Sequence, residues 1–192
     1  AAPVNFGHAD IVNYYCLPMG RNAHRLDGIG STIFAEMSAL AVRTGSVNLG
    51  QGFPDEDGPE EVLEAAVAAL RGGRNQYPPG HGTPELLDAA IAHQQRHYGI
   101  SLDRSQVVAT TGATEAIAGA LLGLVDPGDE VVVLEPYYDS YVAMIQIAGG
   151  VRRPVTLRAP DFRLDLGELA AAITPRTRLI LLNTPHNPTG TV

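Results

Sequence analysis

The sequence contains no lysine, no tryptophan and only one cysteine, Cys16. Its 13 basic residues are all arginines, and 21 acidic residues give the 192-residue chain a formal net charge of −8. A single cysteine excludes an internal disulfide bond and favours a reducing, cytoplasmic environment. The negative charge argues against a nucleic acid or an anionic membrane as the main partner.

Long apolar segments are also absent. No apolar run approaches the roughly 20 residues that a helix needs to span a bilayer. Residues 1–24 lack the basic start and the apolar middle of a signal peptide. The apolar fraction of 45% is that of an ordinary globular protein. Because the chain stops directly after an apolar segment and a Pro/Gly-rich turn, we expect it to be a fragment of a longer protein.

Hydrophobic periodicity predicts an alternation of helices and strands. Helical spacing covers residues 32–44, 59–70 and 84–98. Short apolar runs predict four strands at 107–110, 131–134, 151–157 and 179–183, separated by helices at 114–124, 140–148 and 166–173. Strands that alternate with helices form a parallel sheet with crossover connections, so the predicted fold class is α/β.

Three loops follow predicted strands and therefore lie where open α/β sheets bind ligands. The first contains Gly112, Ala113 and Thr114 at the start of a helix. Small residues there let backbone N–H groups approach a phosphate, and the helix dipole favours the anion. A tight turn capped by threonine explains the same residues equally well, so this loop alone does not decide between the two interpretations.

The second and third loops offer an aromatic wall and a polar donor. Tyr137 and Tyr138 follow the second strand, where aromatic rings either line a ligand site or, more commonly, pack under the next helix. After the fourth strand, two prolines and a glycine fix a sharp loop in which Asn187 can donate a hydrogen bond from its amide. Together the three loops suit a phosphorylated aromatic ring.

The same loops resemble a known family. The run His186-Asn187-Pro188-Thr189-Gly190 resembles the signature of class I/II (fold type I) aminotransferases, which depend on pyridoxal phosphate. Four more motifs occur in that family's order: Asn48-Leu49-Gly50-Gln51-Gly52-Phe53-Pro54-Asp55, Asn75-Gln76-Tyr77-Pro78-Pro79-Gly80, Gly112-Ala113-Thr114-Glu115-Ala116 and Glu135-Pro136-Tyr137-Tyr138-Asp139. The resemblance covers about residues 25–192 and is greatest to N-succinyldiaminopimelate aminotransferase-like enzymes.

This resemblance implies a three-layer α/β/α fold with a mostly parallel sheet. Residues 1–50 would form an N-terminal arm and a small-domain segment, and residues 51–192 an incomplete cofactor-binding large domain. The implied cofactor is pyridoxal 5'-phosphate. The implied substrates are an amino acid, such as N-succinyl-LL-diaminopimelate, and a 2-oxo acid, such as 2-oxoglutarate. The full-length enzyme is expected to be a homodimer.

The resemblance also assigns roles to individual residues. Gly112, Ala113 and Thr114 would hold the cofactor phosphate, and Tyr138 would stack on the pyridine ring. Asn187 would hydrogen-bond the cofactor's phenolic oxygen and contact the substrate. Two roles lie outside the three loops. Gly50 would lie against the carboxylate arm of the substrate, and Tyr77 would reach the phosphate bound by the neighbouring subunit.

No catalytic residue is assigned, because the family's Schiff-base lysine has no counterpart in a chain without lysine. The resemblance places that lysine after Asn187, together with the aspartate that pairs with the pyridinium nitrogen and the arginine that binds the substrate carboxylate. It also places strands that follow Asn183 beside the predicted strand at 107–110. We therefore expect this chain alone to leave that strand without neighbours, to be aggregation-prone or partly folded, and to be inactive.

Two further patterns resemble metal sites, but each lacks part of what a metal site needs. His93 and His97 stand four residues apart on a predicted helix, but no third ligand accompanies them, so a solvated helix face is favoured. The acidic run at 55–58 lacks the spacing of a calcium loop. No metal site is predicted, and Cys16 has no evident base partner.

Three functional interpretations stay open at this point. The first is an aminotransferase whose C-terminal half lies beyond this sequence. The second is a different reaction on the same scaffold, such as that of a β-lyase or a ring-closing synthase, or amino transfer from another substrate, as in a kynurenine aminotransferase-like enzyme. The third is a non-catalytic remnant or a cofactor-sensing module. A lysine-bearing continuation of the reading frame favours the first interpretation, and a stop codon favours the third.

Overall fold

A computed structural model of the chain describes residues 23–50, 52 and 56–192. Cys16, most of the predicted N-terminal arm, and part of the motif at 48–55 lie outside the described residues. Among the residues that are described, no helix is both long enough and apolar enough to cross a bilayer.

Three helices come first, at positions that local capping residues specify. Helix α1 spans Ile33–Thr44 and begins after Thr32, whose hydroxyl accepts a hydrogen bond from the backbone N–H of Ala35 at 3.2 Å. Helix α2 spans Glu60–Arg71, and helix α3 spans Pro84–Tyr98. These bounds agree with the predicted helices. Neither α1 nor α2 contains a buried residue, so the core lies elsewhere.

The second half of the chain forms a three-stranded parallel sheet. Helix α4 (Gly112–Leu124) precedes strand β1 (Glu130–Glu135), and helix α5 (Ser140–Ile147) leads to strand β2 (Val151–Thr156). Helix α6 (Leu166–Ala172) then leads to strand β3 (Thr177–Leu181). The strand order is β2-β1-β3. The two crossovers run in opposite directions, so right-handed connections place α5 and α6 on opposite faces of the sheet.

The core is built around β1, which is buried on both faces. Val131, Val132 and Val133 are at most 1% exposed. Val131 and Val133 belong to a cluster with Leu121 of α4 and Ile145 of α5, whereas Val132 points to the other face because strand side chains alternate. The loop that follows β1 is therefore anchored on the most deeply buried element of the structure.

The strand predicted at residues 107–110 does not form, which corrects the prediction. The Ala109 N–H donates to the His81 carbonyl at 2.8 Å, but no described strand pairs with this segment, and Val108 is 56% exposed. Valines favour a strand only where neighbouring strands supply hydrogen bonds and packing. The neighbours implied by the family resemblance are not part of these 192 residues.

Candidate functional site

The first turn of α4 presents backbone donors to solvent. The helix begins at Gly112, just after the segment 107–110, and Gly112, Ala113 and Thr114 are all exposed. First-turn N–H groups have no acceptor within their own helix. Those of Ala113 and Thr114 also have no hydrogen-bond partner among the described residues. Two N–H groups and the Thr114 hydroxyl are therefore available to an anion.

Gly112 is required by the backbone conformation of this turn. Its φ is +78°, in the left-handed region that a glycine adopts without the steric cost of a Cβ. A Cβ built at this position would meet nothing within 4 Å. The backbone angle, and not a lack of space, is thus the reason for a glycine at this position. No other group fills the space beside its Cα.

The ring of Tyr138 is held by two other aromatic rings. Its centroid lies 6.3 Å from that of Phe34 on α1, with an interplanar angle of 43°. It lies 5.8 Å from that of Tyr141 on α5, in an edge-to-face arrangement at 81°. Burial raises the pKa of the Tyr141 phenol, and the nearby Tyr138 adds to the effect. Tyr138 is consequently fixed in orientation by packing on α1 and α5.

Thr114 and Tyr138 line the same cavity, which we call the Tyr138 cavity. It has a volume of about 420 Å³ and is also lined by Ile29 and Gly30 of the N-terminal segment. The Gln146 side chain donates a hydrogen bond of 2.8 Å to the carbonyl of Asp27 and so holds that segment against α5. The structure thereby places Thr114 and Tyr138 on one cavity, which Gly112, Ala113 and Tyr137 do not line.

The loop after β3 is held by His186. This side chain is 6% exposed, and its Nδ1 lies 2.8 Å from the Thr189 hydroxyl. The His186 N–H donates to the Thr191 carbonyl at 2.8 Å, and its carbonyl accepts from Gly190 at 2.7 Å. Asn187 stands exposed on the loop that these bonds define, and its side chain makes no hydrogen bond to a described residue.

Asn187 is not among the residues that line the Tyr138 cavity. Its neighbours His186 and Gly190 line a larger cavity of about 690 Å³, together with Leu134 of β1 and Phe162. This larger cavity lies at the carboxyl ends of β1 and β3, through Leu134 and Leu182, whereas no residue that follows β3 lines the Tyr138 cavity. Of the predicted cofactor residues, only Thr114 and Tyr138 therefore line a common cavity, and Asn187 lines neither of the two.

Gly50 and Tyr77 lie apart from the Tyr138 cavity. The Gly50 N–H donates to the Asn48 side chain at 3.0 Å. A Cβ at Gly50 would lie 3.2 Å from the Cβ of Met37, so glycine permits a close approach to α1. Tyr77, in the segment between α2 and α3, is 99% exposed. The roles that the resemblance implies for Gly50 and Tyr77 therefore stay predictions.

Two polar groups in the Tyr138 cavity were not assigned a role from the sequence. Asp139 Oδ2 and Ser140 Oγ are buried and have no hydrogen-bond partner among the described residues, and both residues line the cavity. The sequence shows an aspartate and a serine at the start of a helix, a pattern typical of capping. However, neither side chain caps α5 in the structure.

An ionic cluster occupies the opposite end of β1. Glu130 is 1% exposed. Its carboxylate accepts hydrogen bonds from Arg176 at 2.5 Å and from the Thr174 hydroxyl at 2.7 Å. These two hydrogen bonds, chiefly the one from Arg176, lower the pKa of Glu130. Because it lies at the amino end of the strand, this cluster is a stabilising feature and not part of the site.

The histidine pair on α3 lines neither of these two cavities. The rings of His93 and His97 are 4.4 Å apart between centroids and lie on an exposed face. In the part of the chain that the structure describes, no group of three or more potential metal ligands is present.

Residues 44–192 match the family model described as aminotransferase class I and II. The probable N-succinyldiaminopimelate aminotransferase of Mycobacterium tuberculosis is 55% identical over 172 residues, which are 88% of this chain and 43% of that protein. The methionine aminotransferase of Escherichia coli is 45% identical over 169 residues, 88% of this chain and 44% of that protein.

Similarity to solved structures leads to the same group. The N-succinyldiaminopimelate aminotransferase structure from Mycobacterium tuberculosis superimposes with a TM-score of 0.84 at 53% identity, covering 88% of this chain and 44% of that one. The three-layer α/β/α fold predicted from the sequence is thus confirmed in the part that is present. The chain spans less than half the length of the curated relatives that it matches.

Proposed function

Since the chain belongs to the class I and II aminotransferase family, we propose that it is the N-terminal part of an enzyme that moves an amino group from an amino acid to a 2-oxo acid. Members of this family depend on pyridoxal phosphate. The observation that carries the proposal is the placement of Thr114 and Tyr138 on one cavity, because a donor-rich helix start beside an aromatic ring suits a phosphorylated pyridine.

The residues present fit the phosphate of this cofactor. The N–H groups of Ala113 and Thr114 have no described partner, and they stand at the positive end of a 13-residue helix. The positive φ of Gly112 opens the turn without a side chain in front of it. We assign the phosphate to these N–H groups and to the Thr114 hydroxyl.

The ring of the cofactor would lie against Tyr138. That side chain is held by Phe34 and Tyr141, so it can orient a flat ring without first losing its own rotational freedom. We assign to the exposed Asn187 the hydrogen bond to the phenolic oxygen of the ring, and a contact with the substrate. The loop around His186 positions the Asn187 amide.

When bound, pyridoxal phosphate acts as the electron sink that makes amino-group transfer possible, while the protein binds and orients it. The described residues provide the binding and the orientation. The lysine that attaches the cofactor and moves the α-proton would come from outside these 192 residues, which contain none. By itself the chain is therefore proposed to be inactive.

The proposed amino donor is N-succinyl-LL-diaminopimelate, with 2-oxoglutarate as acceptor. This choice rests on the 55% identity to the probable Mycobacterium tuberculosis enzyme of that name. Gly50 would approach the carboxylate arm of the donor. The exposed Tyr77 would reach the phosphate in a second subunit, so the complete enzyme is proposed to be a homodimer. The cytoplasm is its proposed location.

A chimaera tests this function. Residues 1–192 are joined to the C-terminal portion of the Mycobacterium tuberculosis N-succinyldiaminopimelate aminotransferase, which supplies the lysine; this protein is called the chimaera below. We expect it to bind pyridoxal phosphate and to convert N-succinyl-LL-diaminopimelate with 2-oxoglutarate. A folded chimaera that does not bind the cofactor would favour a non-catalytic remnant. Release of pyruvate from a cysteine conjugate, without amino transfer, would favour a β-lyase.

A further inference from the structure

The proposed phosphate loop (residues 110–114) is preceded by a close contact with a distant part of the chain. The segment between α2 and α3 (residues 72–83), called the α2–α3 loop below, passes beside Ala109. The Ala109 N–H donates a hydrogen bond of 2.8 Å to the carbonyl of His81. A Cβ built at Gly82 would lie only 2.9 Å from the Cβ of Ala109. The two backbones can therefore approach this closely only because residue 82 has no side chain.

Gly82 is required here for two independent reasons. Its φ is +114°, which a residue with a Cβ rarely adopts. An added Cβ would also lie 3.3 Å from Cδ2 of the buried Leu87 on α3. The contact with Ala109 would join two Cβ atoms, and no side-chain rotation moves a Cβ relative to its own backbone. A substitution would therefore force the backbone to shift at residue 82, at residue 109, or at both.

A shift of Ala109 would be transmitted to the start of α4, because the residues between them are bonded to one another. The Gly112 N–H donates to the Thr110 carbonyl at 2.9 Å, and the Thr110 hydroxyl donates to the Gly112 carbonyl at 3.0 Å. The Thr111 N–H donates to the carboxylate of Glu115 on α4. These bonds make the short link a continuous physical connection between the α2–α3 loop and the phosphate loop.

We propose that Gly82 is a positioning residue of the phosphate site; this inference rests on the proposed function. By admitting the α2–α3 loop to Ala109, Gly82 sets the position of the phosphate loop and hence the direction of the Ala113 and Thr114 N–H groups. Hydrogen bonds weaken steeply when the donor and the acceptor lose their alignment. A displaced phosphate loop would therefore bind the phosphate less tightly.

The expected effect is specific for the phosphate. Tyr138, which would hold the ring of the cofactor, is fixed by Phe34 and Tyr141 and not by the α2–α3 loop. The readout is therefore a ratio, the dissociation constant of pyridoxal divided by that of pyridoxal phosphate, which we call the phosphate preference. A substitution that only destabilised the fold would weaken the binding of both ligands alike and leave this ratio unchanged.

The experiment measures the phosphate preference of the chimaera and its variants by absorbance titration, and their stability by urea unfolding. The variants are Gly82→Ala, Ala109→Gly and the double variant that carries both substitutions. Ala109→Val, which crowds the same contact and leaves residue 82 unstrained, is a fourth variant. Gly80→Ala is the matched control, because Gly80 lies in the same loop without a left-handed φ, and a Cβ there would meet nothing within 4 Å.

We expect Gly82→Ala to lower the phosphate preference about 10-fold or more, the order of loss that follows when a hydrogen bond to a charged group is weakened. The double variant should regain much of the preference, because it lacks the methyl group that the new Cβ would meet. It should not regain the full stability, since the strain at residue 82 persists. Ala109→Val should lower the preference, whereas Ala109→Gly alone and Gly80→Ala should leave it nearly unchanged.

The failure of this inference is distinguishable from the failure of the proposed function. If the chimaera binds pyridoxal phosphate and transfers amino groups, but Gly82→Ala keeps the phosphate preference, the positioning role is wrong and the function stands. A double variant without any recovery would overturn the inference too, because the contact with Ala109 would not be the cause. If Gly82→Ala does not fold, an unchanged preference in Ala109→Val overturns it. If the folded parent does not bind the cofactor, both proposals are overturned.

Discussion

The ring of Phe34 lies 6.3 Å from that of Tyr138, centroid to centroid. This contact joins helix α1, which belongs to the predicted arm and small-domain segment, to the loop that follows the most buried strand of the sheet. The bond from Gln146 to the Asp27 carbonyl is a second contact of the N-terminal segment, and residues 28–30 and Thr32 of that segment line the Tyr138 cavity. The N-terminal segment is thus a structural part of the proposed cofactor site.

Tyr138 is expected to contribute to cofactor affinity through its ring and not through its hydroxyl. Tyr138→Phe in the chimaera should bind pyridoxal phosphate almost as well as the parent. Tyr138→Leu should bind it roughly 2-fold to 12-fold more weakly, which corresponds to the 0.5–1.5 kcal/mol that aromatic stacking provides. Titration of the cofactor by absorbance measures both. Equal affinity of all three proteins would rule out stacking on Tyr138.

Gly112 and Gly119 lie on the same helix, but we expect their substitution by alanine to change the free energy of unfolding in opposite directions. Gly112 has a φ of +78°, so Gly112→Ala should destabilise the chimaera by about 1–2 kcal/mol. Gly119 lies in the helix interior with nothing within 4 Å of an added Cβ, so Gly119→Ala should stabilise it by about 0.5–1 kcal/mol. Urea unfolding measures both changes.

The same two variants also test the phosphate loop. Gly112→Ala should weaken pyridoxal phosphate binding more than it weakens the binding of pyridoxal, which lacks the phosphate. Gly119→Ala should change neither affinity. A Gly112→Ala variant that binds pyridoxal phosphate as tightly as the parent would place the phosphate elsewhere.

The Glu130 cluster should make stability depend on pH in the acid range. Hydrogen bonds from Arg176 and Thr174 lower the pKa of Glu130 in the folded protein. Its stabilising contribution is therefore complete above the unfolded value of about 4.3 and is lost as the pH falls through the lower folded value. Glu130→Gln should reduce the free energy of unfolding at pH 7, and the difference from the parent should shrink below about pH 4.

Glu168→Gln is the matched control for this prediction. Glu168 pairs with Arg158 at 2.7 Å, but its side chain is 41% exposed, and exposed ion pairs contribute little. Urea unfolding of the chimaera and both variants at several pH values gives the comparison. If Glu130→Gln reduced the free energy of unfolding as much at pH 3 as at pH 7, the ionised Glu130 carboxylate would not be the source of the stabilisation.

The 192-residue chain alone should be inactive and should associate. It contains no lysine, and its second helix exposes Val62, Leu63, Val67 and Leu70 at 37% to 62%. Contiguous exposed apolar side chains promote association. Size-exclusion chromatography should show species larger than the 20.3 kDa monomer, and transaminase assays should show no turnover. A stable monomer that transfers amino groups would refute the assignment.

Locally encoded features of the fold could be predicted from the sequence. Helix α3 runs from Pro84 to Tyr98 as predicted, because Thr83 caps its start and Gly99 ends it in the left-handed region. The helix starts beside the proposed phosphate loop and after the tyrosine pair could be predicted for the same reason, since each depends on a short local motif.

Features that depend on distant partners could not be predicted. Residues 107–110 have the composition of a strand but no strand beside them. The contact of Phe34 with Tyr138 and the bond from Gln146 to Asp27 join segments far apart in the chain, and no periodicity indicates them. Asp139 and Ser140 resemble capping residues, so only their burial without a partner distinguishes them.

A crystal structure of the chimaera with pyridoxal phosphate tests the central claim most directly. The account predicts that the phosphate lies within hydrogen-bonding distance of the Ala113 and Thr114 N–H groups, that the pyridine ring stacks on Tyr138, and that the Asn187 amide reaches the phenolic oxygen. A phosphate bound away from the start of α4, with Tyr138 and Asn187 on different sides of the ligand's pocket or out of its reach, would contradict it.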